Sequence, residues 1–163
     1  MSSIYVDSLV NKSGDNDSGL DLSTNDVVAI KTADTERCRV DASGNLLVGK
    51  TSSDATATGV ELRSGGRGVF TASSDMAMQL RRYTDDGDIL QFRKDGTTVG
   101  SIGVVNTTNP FFASSDRGLR ITGNNIRPCS GDGANLDNTI DLGDTGQRFD
   151  DIYATNGTIQ TSD

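Results

Sequence analysis

The ten residues VDASGNLLVG, from Val40 to Gly49, read as the end of one strand, a tight corner at Ser43-Gly44-Asn45 and a second strand over 46–49. Glycine takes positive φ without steric cost, and Asp, Asn and Ser bond their own backbone, so a short polar run between two apolar ones is a hairpin signal. The same grammar recurs on both sides. In YTDDGDILQF the corner is Asp85-Asp86-Gly87-Asp88, and in RKDGTTVG it is the pair Asp95-Gly96. No window of ten or more residues keeps a 3.6-residue apolar period, whereas alternation with period two runs from end to end. The chain is therefore expected to be all-β, a succession of short-strand hairpins forming a meander.

Strands are predicted over 27–31, 37–40, 46–49, 76–83, 89–93, 98–104, 119–122 and 139–142. Met76, Met78 and Leu80 share one face of their predicted strand, and Leu90 with Phe92 one face of the next, which makes these five the expected core of the middle of the chain. Residues 52–59 and 15–19 have no apolar anchor and read as linkers. Corners of the type Asp-x-x-Gly recur, but at no fixed period.

Composition argues for assembly. Only 33% of the 163 residues are hydrophobic and 5% aromatic, with no Trp, so the core of a lone subunit would be thin. Intertwined copies can share apolar faces too small to close one subunit. The net charge of −8 and a pI near 4.4 repel phosphate backbones and anionic headgroups, so neither nucleic acid nor a membrane is an expected partner. No apolar run approaches the roughly 20 residues of a membrane span, and the opening MSSIYVDSLVNKSG lacks the layout of a secretory signal, so synthesis in a cytoplasm is expected. Cys38 and Cys129 fit neither a metal cluster nor a disulfide framework. Both are expected to be buried small apolar residues, with a bridge between subunits as the alternative.

Three motifs suggest chemistry. Gly44, Gly49, Lys50 and Thr51 match the phosphate-loop pattern, but a turn precedes them, no helix follows, and the apolar Leu46-Leu47-Val48 inside reads as strand; no nucleotide site is expected. Acidic clusters at 15–21, 85–88 and 132–141 offer oxygens to a cation, yet none fits the twelve-residue calcium loop and turn formation explains them, so no metal or other cofactor is expected. Carboxylates for glycoside hydrolysis are abundant, but the aromatic platforms of a sugar cleft are scarce. Without His, no Ser-His or Cys-His nucleophile can form. No enzyme is expected.

Several of these segments resemble bacteriophage tail-fibre sequence. SSIYVDSLVNKSG, at 2–14, is similar to the short N-terminal segment of marine and cyanobacterial phage fibres, which implies docking onto the tail or baseplate. TERCRVDASGNLLVGKTSSD, at 35–54, resembles a hairpin of such fibres. DGDILQFRKDGTTVGSIG, at 86–103, and NTIDLGDTGQRFDDIYATNGTIQTSD, at 138–163, resemble stretches that lead into an endosialidase-type intramolecular chaperone, which trimerises the fibre and then cuts itself off. The family cuts at a Ser-Asp junction, which Ser162-Asp163 matches, and a Ser with a Lys slightly downstream carries the cut; the Lys would lie beyond Asp163, so the resemblance implies that the cut needs the downstream chaperone, which is not in these residues.

The resemblance and the composition together imply a virion protein, an elongated parallel homotrimer with three parts. Residues 1–23 are the attachment segment, 24–105 a central β-hairpin region and 106–163 a β-stem whose Ile121, Ile126, Ile140, Leu142, Phe149, Ile152 and Ile159 face the three-fold axis. A host receptor is a further expected partner, met by Tyr83, Phe111 and Phe112 if they are exposed together. The alternatives are a receptor-binding tip module and a glycan depolymerase with converging carboxylates.

Overall fold

The computed structural model describes residues 5–11, 13–14 and 16–150. Twelve strands and no helix are found among the described residues. The chain divides into two compact units, Met1–Gln79 and Leu80–Asp163. The first holds β1 (Ser8–Val10), β2 (Gly19–Asp21), β3 (Val28–Thr32), β4 (Thr35–Val40), β5 (Leu46–Val48), β6 (Gly59–Leu62) and β7 (Gly68–Thr71), which pair in chain order as a seven-stranded antiparallel sheet. The second holds β8 (Gly87–Lys94), β9 (Thr97–Val105), β10 (Asn109–Ala113), β11 (Arg117–Thr122) and β12 (Asn125–Ser130), a five-stranded antiparallel meander.

Turn chemistry builds both sheets. Between β3 and β4 the two loop residues Ala33 and Asp34 take φ of 51° and 52°, and between β8 and β9 Asp95 and Gly96 take 49° and 82°. Positive φ at both positions is the two-residue turn whose twist matches its flanking strands. At the Ser43-Gly44-Asn45 corner, Asp41 Oδ1 accepts the N–H groups of Ser43 and Asn45, both at 2.9 Å, and Asn45 Nδ2 donates to Asp41 Oδ2 at 2.9 Å. Asn45 Oδ1 in turn accepts the Ser64 N–H at 3.0 Å, which ties this corner to the one between β6 and β7.

Little is fully buried. In the first sheet Ala29 and Leu47 are the buried apolar side chains; in the second they are Phe111, Ala113 and Cys129, with Val105 against them. Phe111 is clasped by glycine: a Cβ on Gly103 would stand 2.6 Å from its Cζ, and one on Gly133, where φ is +83°, 2.6 Å from its Cδ1. The 131–135 corner thus folds back onto the ring only because position 133 has no side chain.

The strands predicted at 27–31, 37–40, 46–49, 89–93, 98–104 and 119–122 are β3, β4, β5, β8, β9 and β11. Those predicted at 76–83 and 139–142 do not form. Alternation makes a strand only when another strand supplies its backbone partners, and no described strand pairs with either segment. The expected core is corrected accordingly. Met76 is 68% exposed, Met78 and Leu80 are exposed too, and Leu90 and Phe92 are on an open face. Six strands went unpredicted because they are short or interrupted: β6 and β7 have four residues each, and Pro110 and Pro128 sit in β10 and β12. Pro is tolerated there because β12 is an edge strand and Pro110 is near the start of β10. Of the cysteines, Cys129 is buried and Cys38 half-buried, and both are free thiols. Segment 1–23 contains β1 and β2, which join the sheet of β3–β7, and region 24–105 spans the change from the first sheet to the second.

Candidate functional site: two apolar sheet faces

Side chains paired across neighbouring strands share a face, so the register of a sheet reads out what each face offers. In the first sheet Leu9 pairs with Leu20, Leu20 with Ile30, Ile30 with Cys38, Cys38 with Val48, Val48 with Val60, and Val60 with Phe70. One apolar row therefore crosses all seven strands, a span of roughly 29 Å at about 4.8 Å per strand. Two residues along each strand, on the same face, a second row runs Val28, Val40, Leu46, Leu62, Gly68. None of these residues is buried.

The other face is where the charges go. Its row reads Asp21, Ala29, Arg39, Leu47, Glu61, Val69. Lys31 pairs with Asp21, and Arg39 with Glu36 at 2.5 Å. The hydrogen bond from Lys31 holds the Asp21 carboxyl well below the usual range, and that from Ser23 adds to it. Glu61 is fully buried, its Oε1 2.8 Å from Lys50 Nζ and its Oε2 2.8 Å from Arg63 Nε and 3.0 Å from Ser53 Oγ. Hydrogen bonds from Lys50 chiefly, against desolvation, and then from Arg63 and Ser53 lower its pKa to about 2.

This network settles what the phosphate-loop pattern is locally. The Lys50 ammonium also donates to the carbonyls of Asp54 and Ala57, so its three protons are spent within the chain. Gly44 and Gly49, with φ of 77° and 72°, flank β5. Thr51 begins a loop, not a helix. Residues 52–59, expected to be a linker, are instead wrapped over Lys50, and a buried cation explains why a stretch without apolar anchors holds a fold.

The second sheet repeats the pattern. Leu90, Ile102, Phe112, Leu119 and Pro128 pair in series across all five strands, and Ile121 pairs with Ile126 on the same face. All are exposed except the half-buried Pro128. Phe92 stands edge-on to Phe112 with ring centroids 6.5 Å apart. The opposite face carries the Phe111 core and the buried Arg120, which donates to the Gly133 carbonyl at 3.1 Å and to Asn135 Oδ1.

The three expected receptor residues separate. Phe111 is 3% exposed and belongs to the core, a correction that follows from alternation along β10; Phe112, its neighbour, is on the open face at 62%. Tyr83 is exposed, with Arg81 donating to its hydroxyl at 2.9 Å and its guanidinium 5.6 Å from the ring centroid. Of the positions expected to face an axis, Ile121, Ile126, Leu142 and Phe149 are exposed and Ile140 is half-buried, while Ile152, Ile159 and the Ser162-Asp163 junction lie outside the described residues. No described group of three or more Cys, Asp or Glu is arranged to hold a metal, and no described helix could cross a membrane.

Sequence reasoning missed the buried Lys50–Glu61 pair and the row from Leu9 to Phe70. The row was hidden because each strand contributes only one residue to it. Comparison with protein-family models, with curated proteins and with solved structures finds no match to this chain.

Proposed function

We propose that this chain is a structural protein of a bacteriophage tail fibre, working as a parallel homotrimer attached through residues 1–23 to the tail or baseplate and contributing to host adsorption. The observation that carries it is the unbroken apolar row across seven strands, exposed or half-buried at every position, on the face away from the ion pairs. Burying a large aliphatic or aromatic side chain gains about 1.5–3 kcal/mol, so each half-exposed member of the row gains roughly 1 kcal/mol when another copy covers it. Each unit, taken by itself, presents such a face to water, where contiguous apolar patches mark interaction surfaces. Phage origin rests on the resemblance of segments 2–14, 35–54, 86–103 and 138–163 to fibre sequence. Function is then mechanical, and no residue is assigned a catalytic role.

A second role, direct contact with a host receptor, is favoured by Tyr83, which presents an aromatic ring stiffened by Arg81. The test of the main proposal is gold-labelled antibody against the purified chain, applied to virions from a host that produces it. Labelling confined to tail or baseplate fibres supports it; virions without label, with the chain found only in the host cell, overturn it.

A further inference from the structure

The segment 76–83, MAMQLRRY, has the alternation of a strand and none of the pairing. No backbone hydrogen bond joins the N–H groups of 77–83 to another described residue, and Met76, Met78, Leu80 and Tyr83 are all exposed. After three intervening residues comes β8, eight residues long, which pairs with β9 on one side and with no described strand on the other. Such an edge is a template for another strand. Among the described residues one chain thus holds an unpaired strand sequence and a strand edge without a partner strand, and the two are not paired with each other. Thr84, at φ 73°, and the bond from the Asp85 N–H to the Tyr83 carbonyl turn the backbone between them, and the Arg82 side chain reaches across to the carbonyls of Asp85 and Asp88.

We infer that residues 76–83 pair antiparallel with the edge of β8 away from β9 in a second copy of this chain, adding a sixth strand to its second sheet. Charge selects both the occupant and the direction. Antiparallel pairing carries Arg81 and Arg82 to the end of β8 that holds Asp86 and Asp88, with Arg82 opposite Asp88 in the register below, whereas parallel pairing carries the arginines toward Arg93 and Lys94. The apolar pattern then selects the register. Leu80 opposite Leu90 and Met78 opposite Phe92 put the new strand's apolar side chains on the face that already carries the row from Leu90 to Pro128. Each copy gives one strand and receives one, a head-to-tail contact that closes into a ring when three copies meet.

This rests on the proposed trimer, and the experiment separates the two. Differently tagged chains carrying Leu80→Cys or Leu90→Cys are co-expressed, purified, weighed by light scattering and oxidised; peptide mass spectrometry then identifies linked cysteines. A link between position 80 of one chain and position 90 of the other, in an assembly of three chains, is the expected result. A trimer in which hydrogen exchange at 77–83 stays at the rate of an open backbone and no such link forms overturns the strand exchange and leaves the trimer standing. A monomer without the link overturns both.

Discussion

Phe111 and Phe112 are consecutive on β10 and face opposite ways, the first clasped between Gly103 and Gly133, the second edge-on to Phe92 on an open apolar face. Their substitutions are therefore expected to do different things. Phe111→Ala empties the small core of the second sheet and lowers stability by about 3–5 kcal/mol. Phe112→Ser leaves that core intact and weakens assembly. Urea unfolding followed by fluorescence and light scattering on both variants checks this, and equal loss of stability with no change in mass would contradict it.

Gly133→Ala tests the clasp from the other side. Its φ of +83° is unfavourable for alanine, and the new Cβ would meet the Phe111 ring at 2.6 Å. Destabilisation of about 1–3 kcal/mol is expected from strain of this kind. Gly96→Ala, where φ is also positive but nothing lies within 4 Å, is expected to cost less. Thermal melts of the two variants give the comparison.

The Lys50–Glu61 pair predicts a pH dependence with a definite sign. Because the folded-state pKa of Glu61 is lowered to about 2, the unfolded chain takes up a proton before the folded one does as pH falls. The contribution is complete above the ordinary glutamate range and is lost as pH drops through that range toward about 2. Urea midpoints at pH 7, 4 and 2.5 are expected to fall for the native chain. In Glu61→Gln the midpoint is lower at pH 7 and this part of the slope is gone; an unchanged slope would contradict the assignment.

Two corners of the first sheet hang on Asn45, which bonds Asp41 on its own hairpin and the Ser64 N–H on the next. Asn45→Ala removes the acceptor of the Ser64 N–H and the donor to Asp41, and is expected to cost about 0.5–1.5 kcal/mol for each bond lost. Asn45→Asp keeps an acceptor for Ser64 but sets a second carboxylate against Asp41, so its loss should shrink as salt is raised. Unfolding midpoints at low and high salt check it.

How much of this could be read beforehand depends on where the information sits. VDASGN carries its corner within six residues, and its Asp and Asn side chains make the bonds that their positions suggest. Strands such as β9 announce themselves by alternation. The apolar faces are legible only once register is known, because Leu20, Ile30, Cys38, Val48 and Val60 come from five different strands. MAMQLRRY misled for a related reason: its alternation promises a face and says nothing of a partner strand, and no described strand of its own chain supplies one. Lys50 was hidden behind a familiar motif, since the spacing of Gly44, Gly49 and Lys50 says nothing of a glutamate eleven residues further on.

The central claim is that the two apolar faces are covered by other copies, and the native mass in solution tests it most directly. Light scattering on the purified chain at neutral pH is predicted to give three times 17.2 kDa, and Val60→Asp, which plants a charge in the row that crosses the first sheet, is predicted to reduce that mass. A monodisperse species of 17.2 kDa for the unaltered chain, unchanged on raising its concentration, would contradict the account.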